Sequence, residues 1–161
     1  MEITKATDAQ FQIVRHIIKS TIETVYPNYY PSGAVEFFLH YHSDETIREA
    51  IEKGSVYLLQ VDGRFVGTGS LFGFEIGRLF VLSEHQGKGY GTALMDALEK
   101  TVFRSYPEIT LDASLPAYEL YVHRGYTPLA FHTLKLENGH YLCYHVMSKR
   151  RDSGEAPLTI H

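Results

Sequence analysis

A strand-forming run, Ile76 to Leu82, passes through Ser83-Glu84-His85 into Gln86-Gly87-Lys88-Gly89-Tyr90-Gly91 and then directly into a helical pattern. Nothing else in the chain constrains its fold as strongly. Glycines at alternate positions clear side chains from a place where a ligand would approach the backbone, and they permit positive φ angles. The helix opening near Tyr90 leaves its first N–H groups without helical acceptors at a positive dipole end, so the turn is suited to a pyrophosphate. A dinucleotide fold would also set a glycine turn between strand and helix, with Asp112 after the next strand for the ribose. Its fingerprint, however, puts the glycines directly after the strand and the third Gly three residues beyond the second. Here Ser83 to Gln86 intervene and Gly91 follows Gly89 by two. Lys88 precedes a glycine and not Ser or Thr, which argues against a nucleoside-triphosphate loop.

The segment Gln86 to Gly91 resembles the Gln/Arg-x-x-Gly-x-Gly/Ala motif of the GNAT superfamily of acyl-CoA-dependent N-acetyltransferases. Downstream, Ala117-Tyr118-Glu119-Leu120-Tyr121-Val122-His123-Arg124-Gly125-Tyr126 is similar to that family's Ala-x-x-Leu-Tyr-x-x-x-Gly-Phe helix and turn. The resemblance covers about residues 2–148 and implies one α/β domain: a mixed, mostly antiparallel sheet flanked by helices. It implies acetyl-CoA as cosubstrate, no metal, and direct attack by a primary amine without a covalent enzyme intermediate. In the family, the equivalents of Leu79 and Val81 lend backbone groups to the acyl carbonyl and the pantetheine arm, and Phe80 between them is an implied cofactor contact. Gln86, Gly87, Lys88, Gly89, Tyr90, Gly91 and Thr92 would surround the pyrophosphate. Ser114, standing where many members carry an Asn, and Tyr121 complete the implied cofactor contacts. Tyr121 also matches the tyrosine that protonates the departing thiolate, a general-acid role. Glu75 lies eleven residues before Gln86, the spacing at which some members place a glutamate that takes the amine proton through water. If Glu75 is structural, His40, His42 or solvent takes that proton. Two other functions stay open: a non-catalytic acyl-CoA sensor, and a nicotinamide-dependent oxidoreductase using Asp112.

Length and charge bound the rest. A chain of 161 residues with 44% hydrophobic content suits one domain with a substantial core. A net charge of −4 offers no basic stripe for nucleic acid. Met1 is followed by polar residues and no long apolar run occurs, so neither secretion nor membrane insertion is expected and the cytoplasm is the default compartment. The single cysteine, Cys143, falls in a strand-like alternation and reads as a packed thiol. His40-x-His42 lacks a third ligand at recognised spacing, so the pair reads as structural or as part of an acceptor surface together with Tyr29, Tyr30 and Tyr41. The amine itself, and whether the chain forms a homodimer, stay open.

Periodicity predicts a first helix through Phe11, Val14, Ile18, Ile22 and Val25, capped by Asp8 and stopped at Pro27. Pro31 to Tyr41 reads as short helix plus loop, followed by a helix from Ser43 to a Gly54 stop. Val56 to Val61 and Phe65 to Phe72 form a hairpin about Asp62-Gly63. In the next strand, alternation puts Glu75, Gly77, Leu79 and Val81 on one side. Ala93, Leu94, Ala97, Leu98 and Val102 form the stripe of the central helix. Ile109 to Asp112, a helix Pro116 to Arg124, and a hairpin about Asn138-Gly139 complete a domain of residues 1–148, with 149–161 a polar tail.

Overall fold

The computed structural model describes residues 1–152; the expected tail beyond them lies outside the described residues. A seven-stranded sheet runs through the molecule in the order β1-β2-β3-β4-β5-β7-β6. Its strands are β1 (Glu2–Lys5), β2 (Val56–Val61), β3 (Arg64–Phe72), β4 (Glu75–Val81), β5 (Glu108–Ala113), β6 (Thr127–Lys135) and β7 (Tyr141–Arg150). All neighbouring pairs are antiparallel except β4 and β5. The expected mixed, mostly antiparallel architecture is therefore present. Helices α1 (Phe11–Val25), α2 (Ser32–Tyr41) and α3 (Asp44–Glu52) cover one face, burying Val14, Ile18 and Ile47 together with Leu58 and Phe80. Helix α4 (Tyr90–Phe103) and the short α5 (Tyr118–His123) cover the other, where Met95, Leu98 and Tyr121 pack on Ile76, Ile109, Leu111 and Met147.

The first hairpin forms as its Asp-Gly turn dictates: Asp62 at φ 49° and Gly63 at φ 76° adopt the paired positive angles that match strand twist. Ser43 caps α3, its hydroxyl accepting from the Thr46 N–H at 3.3 Å. On α4, Met95 and Glu99 are buried along with Leu94, Leu98 and Val102, while Ala93 and Ala97 are only half-buried. Helix α4 lies close against β3 because glycine stands there; a Cβ on Gly69 would meet Leu98 Cδ1 at 2.7 Å.

One element was not anticipated and three expectations need correction. Strand β1 had no sequence signal, since only Ile3 of its four residues is even half-buried. Asp8 does not cap α1; it lies inside a 3-10 turn, Asp8–Gln10, opened by Thr7, whose N–H donates to Gln10 Oε1 at 2.9 Å. Lys149 and Arg150 are not tail residues, because β7 continues through them: Lys149 pairs with Ile109 and Arg150 with Glu108. Lastly, Glu75, Gly77, Leu79 and Val81 do not share a face of β4, for a reason that belongs to the site.

Candidate functional site

Strand β4 changes phase in its middle. Gly77 pairs with Ser70 and Phe80 with Thr68, so Arg78 and Leu79 together face Gly69 alone. Two residues opposite one is a β-bulge. Arg78 sits in it at φ 51°. Before the bulge, Ile76 packs toward α4 while Glu75 stays on the face covered by α1 and α2. After it, Leu79 and Val81 turn toward α4 and Phe80 joins the α1 core. One extra residue inverts the alternation.

Beside the bulge the sheet parts. The parallel strands β4 and β5 pair only at Glu75 with Thr110. Two cavities of about 500 and 360 Å³ open there and meet, sharing Tyr26, Leu79, Phe80, Ser114 and Ala117 on their walls.

The smaller cavity is built largely from backbone. It is lined by Leu79, Phe80, Val81, Gln86, Gly87, Gly89, Tyr90, Gly91, Thr92 and Ser114, with Thr21, Pro116 and Leu120 among the rest. Gly87 and Gly89 hold φ of 75° and 84°, and a Cβ on either would stand in open space. The first helical bond runs from Ala93 N–H to the Gly89 carbonyl at 3.0 Å, so the N–H groups of Tyr90, Gly91 and Thr92 face outward at the dipole's positive end. The Gln86 side chain is already engaged, its Nε2 donating to the Val81 carbonyl at 2.9 Å and fastening the turn to the strand. Lys88 is exposed and does not line the cavity. An elongated anion fits this cradle.

The larger cavity is built from side chains. Tyr121 is buried at 5% exposure with its ring edge-on to Tyr126, and burial pushes its hydroxyl pKa far above the ordinary value. It stays protonated at any working pH. Glu75 and Asp112 stand at the open rim, and partial burial followed by the Asp112 charge raises the Glu75 pKa. Asp112 is raised likewise by burial, which the His132 charge opposes. His42 ends α2 inside the cavity wall, where burial and then Arg78 and Lys19 push its pKa down to about 3. It is neutral. His40, by contrast, is exposed and off the cavity wall.

The cavity's outer wall is held by contacts between distant segments. The Leu115 N–H donates to the Tyr30 hydroxyl at 2.7 Å, and that hydroxyl donates to the Cys143 carbonyl at 3.1 Å. At the start of α2 the Gly33 N–H donates to His140 Nδ1 at 2.7 Å, tying the helix to the turn between β6 and β7. The sequence reading did not single out Tyr26, Arg78, Leu134, Leu142 or Tyr144 as wall residues. Only the bulge could have flagged Arg78, and alternation gives no sign of it.

An acetyltransferase (GNAT) domain model matches residues 25–149. The chain belongs to the GNAT family. A GCN5-related N-acetyltransferase from Rhodopseudomonas palustris is similar in sequence and structure, at 28% identity and a TM-score of 0.83, covering 93% of this chain and 95% of that one. The fold is shared with the PaiA N-acetyltransferase of Thermoplasma acidophilum solved with coenzyme A (15% identity, TM-score 0.69, 93% and 98% covered). It is shared also with a ribosomal-protein-alanine N-acetyltransferase from Brucella melitensis (19%, TM-score 0.67, 94% and 100% covered). No curated protein matches the chain closely enough to count as a relative. As a GNAT protein it is an acetyltransferase enzyme. Asp112, on which a nicotinamide site would rest, lines the larger cavity and not the glycine cradle. No helix among the described residues is long and apolar enough to cross a membrane.

Proposed function

We propose that this GNAT enzyme transfers the acetyl group of acetyl-CoA to a primary amine by direct attack in a ternary complex. The observation that carries it is the meeting of the two cavities at Leu79, next to a buried tyrosine on one side and an outward-facing helix N-terminus on the other. The pyrophosphate lies on the N–H groups of Tyr90, Gly91 and Thr92, with Gly87 and Gly89 giving room. The pantetheine arm runs along Val81 toward the bulge. There the Leu79 backbone, freed from β3 by the bulge, polarises the thioester carbonyl; such a donor is worth about 3 kcal/mol in other acyl-transfer sites.

The amine enters from the larger cavity. Most free amines are protonated at neutral pH, so a base is needed before attack. Glu75, with its raised pKa, accepts that proton directly or through water. The amine nitrogen then bonds to the carbonyl carbon as the C–S bond breaks. Tyr121 gives its proton to the thiolate, and the second proton that the acylated nitrogen sheds returns through solvent to the Tyr121 oxygen, leaving amide and free CoA thiol. His42 is a weaker base than Glu75 at neutral pH because burial has removed its affinity for a proton. We place the reaction in the cytoplasm, where acyl-CoA thioesters are common metabolites. The test is thiol release from acetyl-CoA across a panel of amines. A steady, amine-dependent rate supports transfer, whereas CoA binding without turnover on any amine would make the chain a sensor.

A further inference from the structure

Arg78 is an odd residue to find in the bulge. Backbone at φ 51° costs an L residue other than Gly, Asn or Asp about 1–2 kcal/mol, and arginine brings no local hydrogen bond that would offset it. Its side chain is also costly to place. The guanidinium is half-buried in the cavity wall, with Nη1 donating to the Thr46 carbonyl at 3.2 Å and Cζ lying 5.7 Å from the Phe72 ring centroid. Among the described residues it forms no ion pair; Glu49 and Tyr41 are near enough to act on its charge without closing to contact distance. A permanent cation with five donors, one of them used by Thr46, is thus held partly desolvated against a cavity.

The cavity wall carries charged side chains of both signs. His42 is neutral, which leaves Arg78 as the fixed positive charge on the wall, while Glu75 and Asp112 are the carboxylates that line it. Phe37, Tyr41 and Phe72 supply an apolar surface beside them. Building on the acetyl-transfer reading above, we infer that the acceptor is an amino carboxylate with an apolar or aromatic body, its carboxylate held by the Arg78 guanidinium and its amine delivered to Glu75. A planar guanidinium matches a carboxylate through two parallel hydrogen bonds, which orients the amine as well as binding it. A polyamine, carrying only positive charge, is repelled from the same wall.

Calorimetry in the presence of CoA, with the N-acetyl derivatives of Phe, Tyr, Leu and Met and their carboxamides as probes, tests this without requiring turnover. The carboxylates should bind at least tenfold more tightly than the matching carboxamides. Arg78→Gln should erase the difference while leaving CoA affinity unchanged, and Arg78→Lys, which keeps charge but loses the planar fork, should restore part of it. With the free amino acids as acceptors, Arg78→Gln should raise KM with kcat nearly kept. Equal binding of acids and amides, or a preference that survives Arg78→Gln, overturns the inference. Thiol release driven by spermidine with no carboxylate bound would leave acetyl transfer standing and remove the amino carboxylate. Arg78-dependent carboxylate binding with no thiol release on any amine would do the reverse.

Discussion

The two cavities meet at one strand but are made of different material. On the glycine-loop side the contacts come from backbone: N–H groups at the end of α4, positive φ at Gly87 and Gly89, and the strand edge at Leu79 to Val81. On the other side they come from side chains that α2, β4, β5 and β7 bring together. A backbone-built site needs small residues at fixed spacing and therefore writes a motif into the sequence. A side-chain-built site can draw on any residue that reaches the wall. Under the proposed function the first would hold the cosubstrate, and the second could change its acceptor without disturbing the first.

The largest effect should come from blocking the backbone side. Gly89→Glu puts a bulky anion on a residue at φ 84° in the proposed pyrophosphate site, so CoA-dependent thermal stabilisation should vanish, with affinity down by about a hundredfold or more. A thermal shift with CoA as large as the parent's would move the cosubstrate elsewhere. Tyr121→Phe acts at the junction. It keeps the packing against Tyr126 and removes the proposed proton source, so turnover should fall by about two orders of magnitude with CoA affinity little altered. An unchanged turnover number, measured where chemistry limits the rate, takes Tyr121 out of the mechanism.

Glu75→Gln tests the side-chain side more gently. With burial and then Asp112 raising the Glu75 pKa from its ordinary value, the proposed base is deprotonated only above that raised value. The parent's rate should therefore climb with pH through it. In the variant that limb should disappear and turnover near neutrality should drop by roughly tenfold or more, leaving only the recovery that follows the growing free-amine fraction. A variant with the parent's full pH profile would make Glu75 a structural residue. The smallest effect is expected at Gly69→Ala, where the new Cβ presses on Leu98 and costs about 1–3 kcal/mol. For a chain of this size that lowers the unfolding midpoint by about 2–12 °C. If the variant melts with the parent, α4 is not held by that close approach.

Legibility in the sequence follows the same division. The Asp62-Gly63 hairpin, the Ser43 cap and the glycine cradle could be read because turn chemistry and periodicity act over a few residues. Strand β1 could not: it is an edge strand with almost no buried side chain, held by its register with β2, as Glu2 with Gln60 and Ile3 with Leu59. Lys149 looked like tail because it is charged, yet its ammonium reaches Glu99 Oε2 at 3.2 Å beside Arg124. Charge hid a central strand position. The bulge defeated alternation because period-2 counting cannot register an inserted residue, so Leu79 and Val81 were put on the face of Glu75. Arg78 carries no periodic signal for the same reason. His42 and His40 were equivalent in sequence; the end of α2 turns one inward and leaves the other in solvent.

The Tyr30 hydroxyl has a consequence for the order in which this molecule is completed. It joins a residue near the start of the chain to Leu115 and Cys143, 85 and 113 residues further along. Contacts so far apart are closed late in folding, because the entropy of the long intervening loop must be overcome first. During synthesis the strand, turn and helix of the glycine cradle are all out of the ribosome well before β7 is made. The wall of the larger cavity has to wait for the final hairpin. A nascent or truncated chain lacking Cys143 would thus hold the residues of the glycine cradle without a closed second cavity beside them, and under the proposed function it would offer no place for an acceptor amine.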